Sequence, residues 1–376
     1  MLGETLLYHF SKLNMLEVNL KDIDIYELAG NILSSITSDL NESIYSELNG
    51  KLSLAWSPDP SVNAWAKSEG TIDEPPIHKI CINYELVRQL YRDIEAFCEY
   101  LESDLDKGAF DFWFQDFEQP IEMLPSIFTS EAHRKNFFIA AITWVFFHEL
   151  GHLKQEHGYI RSKFLNYQVD LISECNIEDS RLIEGKAAAI YHVTEMAADF
   201  EAVDTCISEL IRHFSGEDLK AAIYLFVCGV SSTLCRFHGD KSLILDNVPE
   251  GSHPNPLTRL ENIIPQIYEF LSISDLHQHI GIVLDRKRIL GICNQAATAT
   301  GLFWLRCRTE KPEIPDNYFL MGNLNRANGK EYLCKIVETW DEIEPEIKAL
   351  RRFGHYYGVL QFSQHTRDSI FSKRKE

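Results

Sequence analysis

His148-Glu149-Leu150-Gly151-His152 sets two imidazoles four residues apart, with a carboxylate directly after the first. On a helix, positions i and i+4 share one face, a turn apart. His148 and His152 can therefore each turn a nitrogen toward a single Zn²⁺ at about 2 Å. Glu149, beside that face, is placed to take a proton from the water such an ion activates. This is the chemistry of metal-assisted hydrolysis. With 14 histidines in 376 residues the bare spacing is a weak signal, so its setting matters. The run Phe137 to Phe147 is apolar all round and predicts a helix buried in a core. A charged His-Glu-x-x-His at the end of such a helix needs a partner, such as a metal, to offset its burial.

A catalytic zinc site takes three protein ligands and keeps one position open. One solution places a histidine six residues after the second motif histidine, with a glycine three before it. Gln155 and Gly158 stand at those positions, which excludes it. His157, on a continuing helix, would sit about 140° round from His152 and face elsewhere. The stretch His192 to Glu201 offers a carboxylate instead. Glu195 and Asp199 lie i and i+4, and Ala197 and Ala198 let a neighbouring helix come close. Glu195 would complete a His₂Glu set. Asp199, a turn on, is placed to accept the free N–H of a ligating histidine. The plainer reading of Glu195 is a solvated acid or a surface ion pair. His192, three residues before Glu195, is a rival ligand without a supporting partner one turn further on.

Gly251-Ser-His-Pro-Asn-Pro supplies a third element. His253, between a glycine and a proline, sits on a rigid turn and can donate a hydrogen bond to an oxyanion. Arg259 can do the same, or pair with Glu195 or Asp199. The competing reading is a helix-start turn with an ion-pairing arginine.

The elements that must position these residues are mostly helical. Residues up to about 49 read as amphipathic helix. Short strands follow at Leu52–Trp56 and Ile77–Ile82, and Leu86, Leu90, Ile94, Phe97 and Leu101 have helical spacing. Residues 104–129, with Phe110, Phe112, Trp113, Phe114 and Phe117 around two prolines, read as a long packed loop. Thr129 or Ser130 can cap the motif helix, and Gly158 can end it. Helices are expected from Lys186 to about Phe214, on to about His238, from Leu257 with interruptions to about Arg306, and near Tyr332–Arg352.

A formal net charge of −20 and a pI near 5.1 argue against a nucleic-acid binder or adhesion to anionic lipid. Nine single cysteines without a C-x-x-C suit buried thiols in a reducing cytoplasm. There is no basic, apolar leader at the start, and the longest apolar run is far short of the ~20 residues of a membrane span. The expectation is a cytoplasmic protein with no membrane span.

Taken in order, His148-Glu149-x-x-His152, Glu195-x-x-x-Asp199 and His253-Pro254 with Arg259 resemble the gluzincin metallopeptidases of the CAAX-prenyl-protease and HtpX heat-shock-protease type. Asn63-Ala64-Trp65-Ala66, Gly70, Ile80-Cys-Ile82 and Leu86-Val87 resemble that family's Asn-Ala-Phe strand and the strand and helix after it. Phage-exclusion peptidases of the Lit type are a second comparison. The resemblance covers roughly residues 50–270. It implies a zincin-like core at 51–270 with a small N-terminal sheet; with the helical segment at 1–50 and the helical extension at 271–376, which the resemblance does not cover, the expected fold is α+β, mostly α. It implies Zn²⁺ on His148, His152 and Glu195, with Glu149 as base, His253 on the oxyanion, and Asp199 and Arg259 behind the ligands. It also implies a protein or peptide substrate paired backbone to backbone along an edge strand at Asn63, Ala64 and Trp65. A proline at Trp65 should then weaken peptide turnover and spare a small-molecule reaction. The family's membrane spans are absent from the resemblance, and its membrane substrates are not carried over. Two readings remain beside the peptidase: a non-enzymatic sensor or interaction module on the same fold, and a zinc hydrolase acting on something other than peptides.

Overall fold

The structure, a computed structural model, describes residues 21–115, 122–166, 172–173, 183–239, 243–245, 247–273, 276, 280–281, 283–308, 322–326, 328–354 and 358–372. It is mostly helical with one small sheet. Helix α1 (Asp22–Leu40) runs through a short π-helical turn (Asn41–Tyr45) into β1 (Lys51–Ser57), β2 (Ala64–Glu69) and β3 (Ile77–Asn83). Then come α2 (Tyr84–Glu102), α3 (Lys107–Phe114), the motif helix α4 (Ser130–Lys154), α5 (His157–Leu165) and the two-residue β4 (Ile172–Ser173). Helices α6 (Gly185–His213), α7 (Gly216–His238), α8 (Pro256–Leu271), α9 (Arg286–Cys307), α10 (Gly329–Leu350) and α11 (Gln364–Phe371) complete the order.

The sheet runs β1-β3-β2-β4, with β1 parallel to β3 and the other pairs antiparallel. Alternation puts Ala64, Ala66, Ile80 and Ile82 wholly inside. Helix α2 follows β3 without a break and buries Leu86, Leu90, Ile94 and Phe97 on one stripe. Helix α4 packs on α6 and α7, and α9 on α7, so the motif helix lies in the middle of the helical layer. One apolar core runs from Ile25 to Trp304 through the positions 50 and 270. A second cluster joins Ile160, Val193, Met196 and Ala197 to Tyr332, Trp340, Ile347 and Leu360.

Residues 107–114, expected in a loop, form a helix. Phe110 and Phe114, i and i+4, stack at 6.0 Å and are buried, while Phe112 is exposed. The aromatic spacing is helical, although the acids and prolines around it mask the period. Phe117 lies outside the described residues. Helix α7 is long and apolar enough to cross a membrane by length and composition, contrary to the reading from unbroken apolar runs. Its apolar faces are buried within the protein instead, across 94% of the qualifying window.

His78 on β3 is fully buried, with its Nδ1 2.7 Å from the Tyr45 hydroxyl. Burial, helped by Arg352, pushes its pKa down from 6.5 to about 3. The unfolded chain therefore binds the extra proton throughout that window. Stability from this group is complete above pH 6.5 and is lost as pH falls toward 3. At pH 5 the loss is about 2 kcal/mol. Denaturant midpoints at pH 7.5 and pH 5 should differ less in His78→Gln than in the wild type, and equal differences would refute this.

Candidate metal centre

Helix α4 starts where Thr129 Oγ1 accepts the backbone N–H of Ala132 at 3.2 Å, and it buries every residue from Ala141 to Leu153. Its last turns present His148 and His152 to Glu195 on α6. Donor atoms of these three residues all lie within 4.8 Å of one another. His148 Nε2 and His152 Nε2 are 3.0 Å apart. Glu195 Oε2 is 3.2 Å from His148 Nε2, and Oε1 is 3.3 Å from His152 Nε2. All three residues are at most 1% exposed. Glu195 Oε2 is buried and makes no well-formed hydrogen bond among the described residues, although His148 Nε2 at 3.2 Å, His253 Nε2 at 3.7 Å and the Arg259 guanidinium at 3.8 Å all face it. A buried carboxylate oxygen left without a hydrogen bond is costly unless something else compensates it. A carboxylate oxygen and two imidazole nitrogens, shut away from water and converging on one point, fit a divalent ion that prefers N and O donors.

Each candidate donor is held from behind. Asp199 Oδ1 is 2.8 Å from His148 Nδ1, which fixes that ring with its Nε2 toward the centre. Arg259, in the first turn of α8, grips Asp199 with two bonds of 2.7 and 2.6 Å, and its guanidinium lies over the Trp144 ring. Burial raises the Asp199 carboxyl, but Arg259 and His148 outweigh it and hold its pKa below the ordinary value. Burial acts in the same direction on Glu195, and the facing His152, His253 and His148 pull it well below its usual range. His152 is pushed down to about 4, chiefly by burial. His152 Nδ1 lies 2.8 Å from His157 Nδ1. An ion on His152 Nε2 would leave the ring's proton on Nδ1, to be donated to His157 Nδ1.

His157 thus faces His152, contrary to the continuing helix expected at that point. Helix α4 stops at Lys154, Glu156 takes a left-handed conformation at φ 53°, and α5 begins at His157. Gly158 lies inside α5 and does not end the motif helix. The break is secured from far along the chain. Arg352 pairs with Glu156, its backbone N–H donates to Lys154 O at 3.0 Å, and its NH1 and NH2 donate to Glu74 O and Thr71 O. Glu201, on α6, pairs with both Lys154 and Arg351.

The remaining residues of interest divide clearly. Glu149 is fully buried and near enough to Cys81 of β3 to raise that thiol, after burial as the larger cause. His253 Nε2 is 3.7 Å from Glu195 Oε2, and the ring is anchored through Nδ1 to Ser252 Oγ at 2.8 Å. A backbone bond from Gly251 to Ile183 ties that turn to the approach to α6. His192 is turned away from ligation by Tyr332 at 2.7 Å and the Glu250 carbonyl at 3.1 Å.

The edge-strand expectation for Asn63, Ala64 and Trp65 fails at Trp65. Asn63 precedes β2, Ala64 is wholly buried, and β2 lies between β3 and β4, with Trp65 opposite both Cys81 and Ser173. A two-residue strand has too little pattern to be recognised in a sequence. A proline at Trp65 would therefore break a paired strand and test the fold rather than the substrate.

Gly151 is where α4 and α6 approach. A Cβ there would sit 3.0 Å from Ala198 O and 3.2 Å from Ala198 Cα, both backbone atoms. Gly151→Ala should cost about 1–3 kcal/mol in denaturant unfolding, as overpacking does. A gain in stability would show that the helices can part without penalty.

The sequence reading missed Arg161, whose NH2 donates to Glu195 Oε1 at 2.6 Å, and the Arg351–Arg352 pair. Arg161 becomes visible only once the helix break at 155–156 is known. Comparison with protein-family models, curated proteins and solved structures gives no match.

Proposed function

We propose that this chain is a zinc-dependent hydrolase of the gluzincin kind, acting on peptides, in which His148, His152 and Glu195 hold the ion. The observation that carries the reading is the convergence of two buried imidazole nitrogens and a carboxylate oxygen with no well-formed hydrogen bond. Support comes from Asp199, which orients His148 as ligating histidines are commonly oriented. Zn²⁺ bound there supplies Lewis-acid activation of a water and of the scissile carbonyl.

The chain's own groups do the rest. Glu149 accepts the proton of the attacking water and delivers it to the leaving amine. His253, with its side chain 18% exposed, stands at the edge of the group, and its Nε2, itself buried 3.7 Å from Glu195 Oε2, would donate to the developing oxyanion once a substrate enters. Arg259 is 2% exposed and committed to Asp199, so its part is to hold the carboxylate that holds His148. A zincin-like core formed by β1–β3, α2, α4 and α6 would supply this frame.

The pairing of β4 on β2 favours a second reading, a hydrolase whose substrate is not laid out as an added strand. Zinc analysis with chelation and metal return tests both. Chelated protein should lose hydrolysis and regain it with Zn²⁺. Restored cleavage of a mixed peptide pool supports the peptidase, and restored turnover of small esters or amides alone supports the second reading. Failure to take up zinc at neutral pH would sink both.

A further inference from the structure

Arg161 lies outside the set that metal-assisted hydrolysis requires, yet it touches the third donor. It is 2% exposed. Its Nε donates to Thr194 Oγ1 at 2.9 Å, its NH2 donates to Glu195 Oε1 at 2.6 Å, and its guanidinium lies 4.6 Å from the centre of the Tyr191 ring. Tyr191, Thr194 and Glu195 all belong to α6, so one helix fixes both the guanidinium and the carboxylate it grips. Thr194 is itself fixed, since its hydroxyl donates back to the Ile190 and Tyr191 carbonyls.

The bond to Arg161 commits Oε1. The other oxygen, Oε2, lies 3.2 Å from His148 Nε2, with the Arg259 guanidinium further off at 3.8 Å and no well-formed hydrogen bond to either. A cation beside a ligand carboxylate draws charge from it and weakens it as a donor. What the arrangement gives in return is direction. A carboxylate can meet an ion through one oxygen or through two, and a guanidinium N–H held on one oxygen, with the Nε–H anchored on Thr194, selects the first mode.

We propose that Arg161 is a positioning residue that fixes Glu195 as a one-oxygen ligand, with Oε1 on the guanidinium and Oε2 toward the ion. The inference rests on the metal reading above. It assigns a role to the segment after the helix break: α5 carries both His157, behind His152, and Arg161, behind Glu195.

The test compares wild type, Arg161→Gln and Thr194→Val, each stripped of metal and titrated with Co²⁺ and Zn²⁺ against a chromophoric chelator. Arg161→Gln frees Oε1 to join the ion. Its Co²⁺ visible absorption should weaken as coordination rises from four to five, and affinity should rise rather than fall, because the guanidinium no longer draws charge from the carboxylate. Thr194→Val keeps both charges and removes one anchor of the guanidinium. It should shift the spectrum and the affinity the same way by less.

Wild-type affinity and spectrum in a folded Arg161→Gln protein would overturn the proposal and leave Arg161 as packing. If Arg161→Gln does not fold, Thr194→Val decides: wild-type metal behaviour there overturns the proposal. Wild-type protein that binds neither ion overturns the metal reading itself, a different result from a change confined to the variants.

Discussion

Glu149→Gln is expected to lower hydrolysis by about 10²–10⁴-fold while zinc content stays at the wild-type level. The argument is positional. Glu149 is fully buried one residue from a ligand, and the three donor atoms converge without it. The amide keeps the shape of the side chain and removes its capacity to accept a proton at neutral pH. Turnover and zinc content must be measured on the same preparation. Equal turnover with zinc retained would remove Glu149 from its role, whereas joint loss of zinc and activity would make it a structural support of the centre.

Asp199→Asn carries the second large effect, and it falls on stability as well as on metal. Asp199 is 1% exposed, accepts two bonds from Arg259 and faces His148 Nδ1 at 2.8 Å. The amide cannot satisfy a guanidinium with both of its atoms, so Arg259, 2% exposed, is left as a buried charge short of its counter-ion. Breaking a buried pair on one side costs about 3–5 kcal/mol. Loss of the group behind His148 should lower zinc affinity by a further ~10–100-fold. Denaturant unfolding of the metal-free protein isolates the first effect, and chelator competition on the folded protein measures the second. A metal-free variant as stable as wild type would mean that the Asp199–Arg259 pair contributes nothing net.

Several parts of this centre were legible in the sequence. His148 and His152 repeat at helical spacing within an apolar run, and Glu195 and Asp199 do so beside two alanines. Those patterns are local, and the donors do converge. His253 and Arg259 were legible as residues on a turn and the helix after it, with Arg259 pairing to Asp199 as one of the alternatives. What could not be read was non-local or weakly patterned. The break after Lys154 uses no glycine: Glu156 adopts φ 53° with Arg352 gripping its carboxylate. No local spacing predicts such a turn, so His157 was placed on the wrong face and Arg161 was passed over. β4 comprises two residues, too short for alternation to show. It nevertheless decides that β2 is an inner strand at Trp65 and Ala66.

The hold of Arg351 and Arg352 on the end of the motif helix has a consequence in time. Arg352 is made 200 positions after His152. At about 5–20 residues per second, the ribosome adds that length in roughly 10–40 s. Throughout this interval Glu156 and Glu201 lack partners supplied only by later chain, and the turn that brings His157 behind His152 is unsecured. The centre is therefore expected to mature late in synthesis, after α10 has emerged. Ribosome-bound chains stopped before residue 351 should take up zinc poorly beside chains stopped well after it. Equal uptake would show that the motif helix finds its ending unaided. A candidate metal centre fastened by the two arginines that follow α10 is one that a half-made chain does not yet possess.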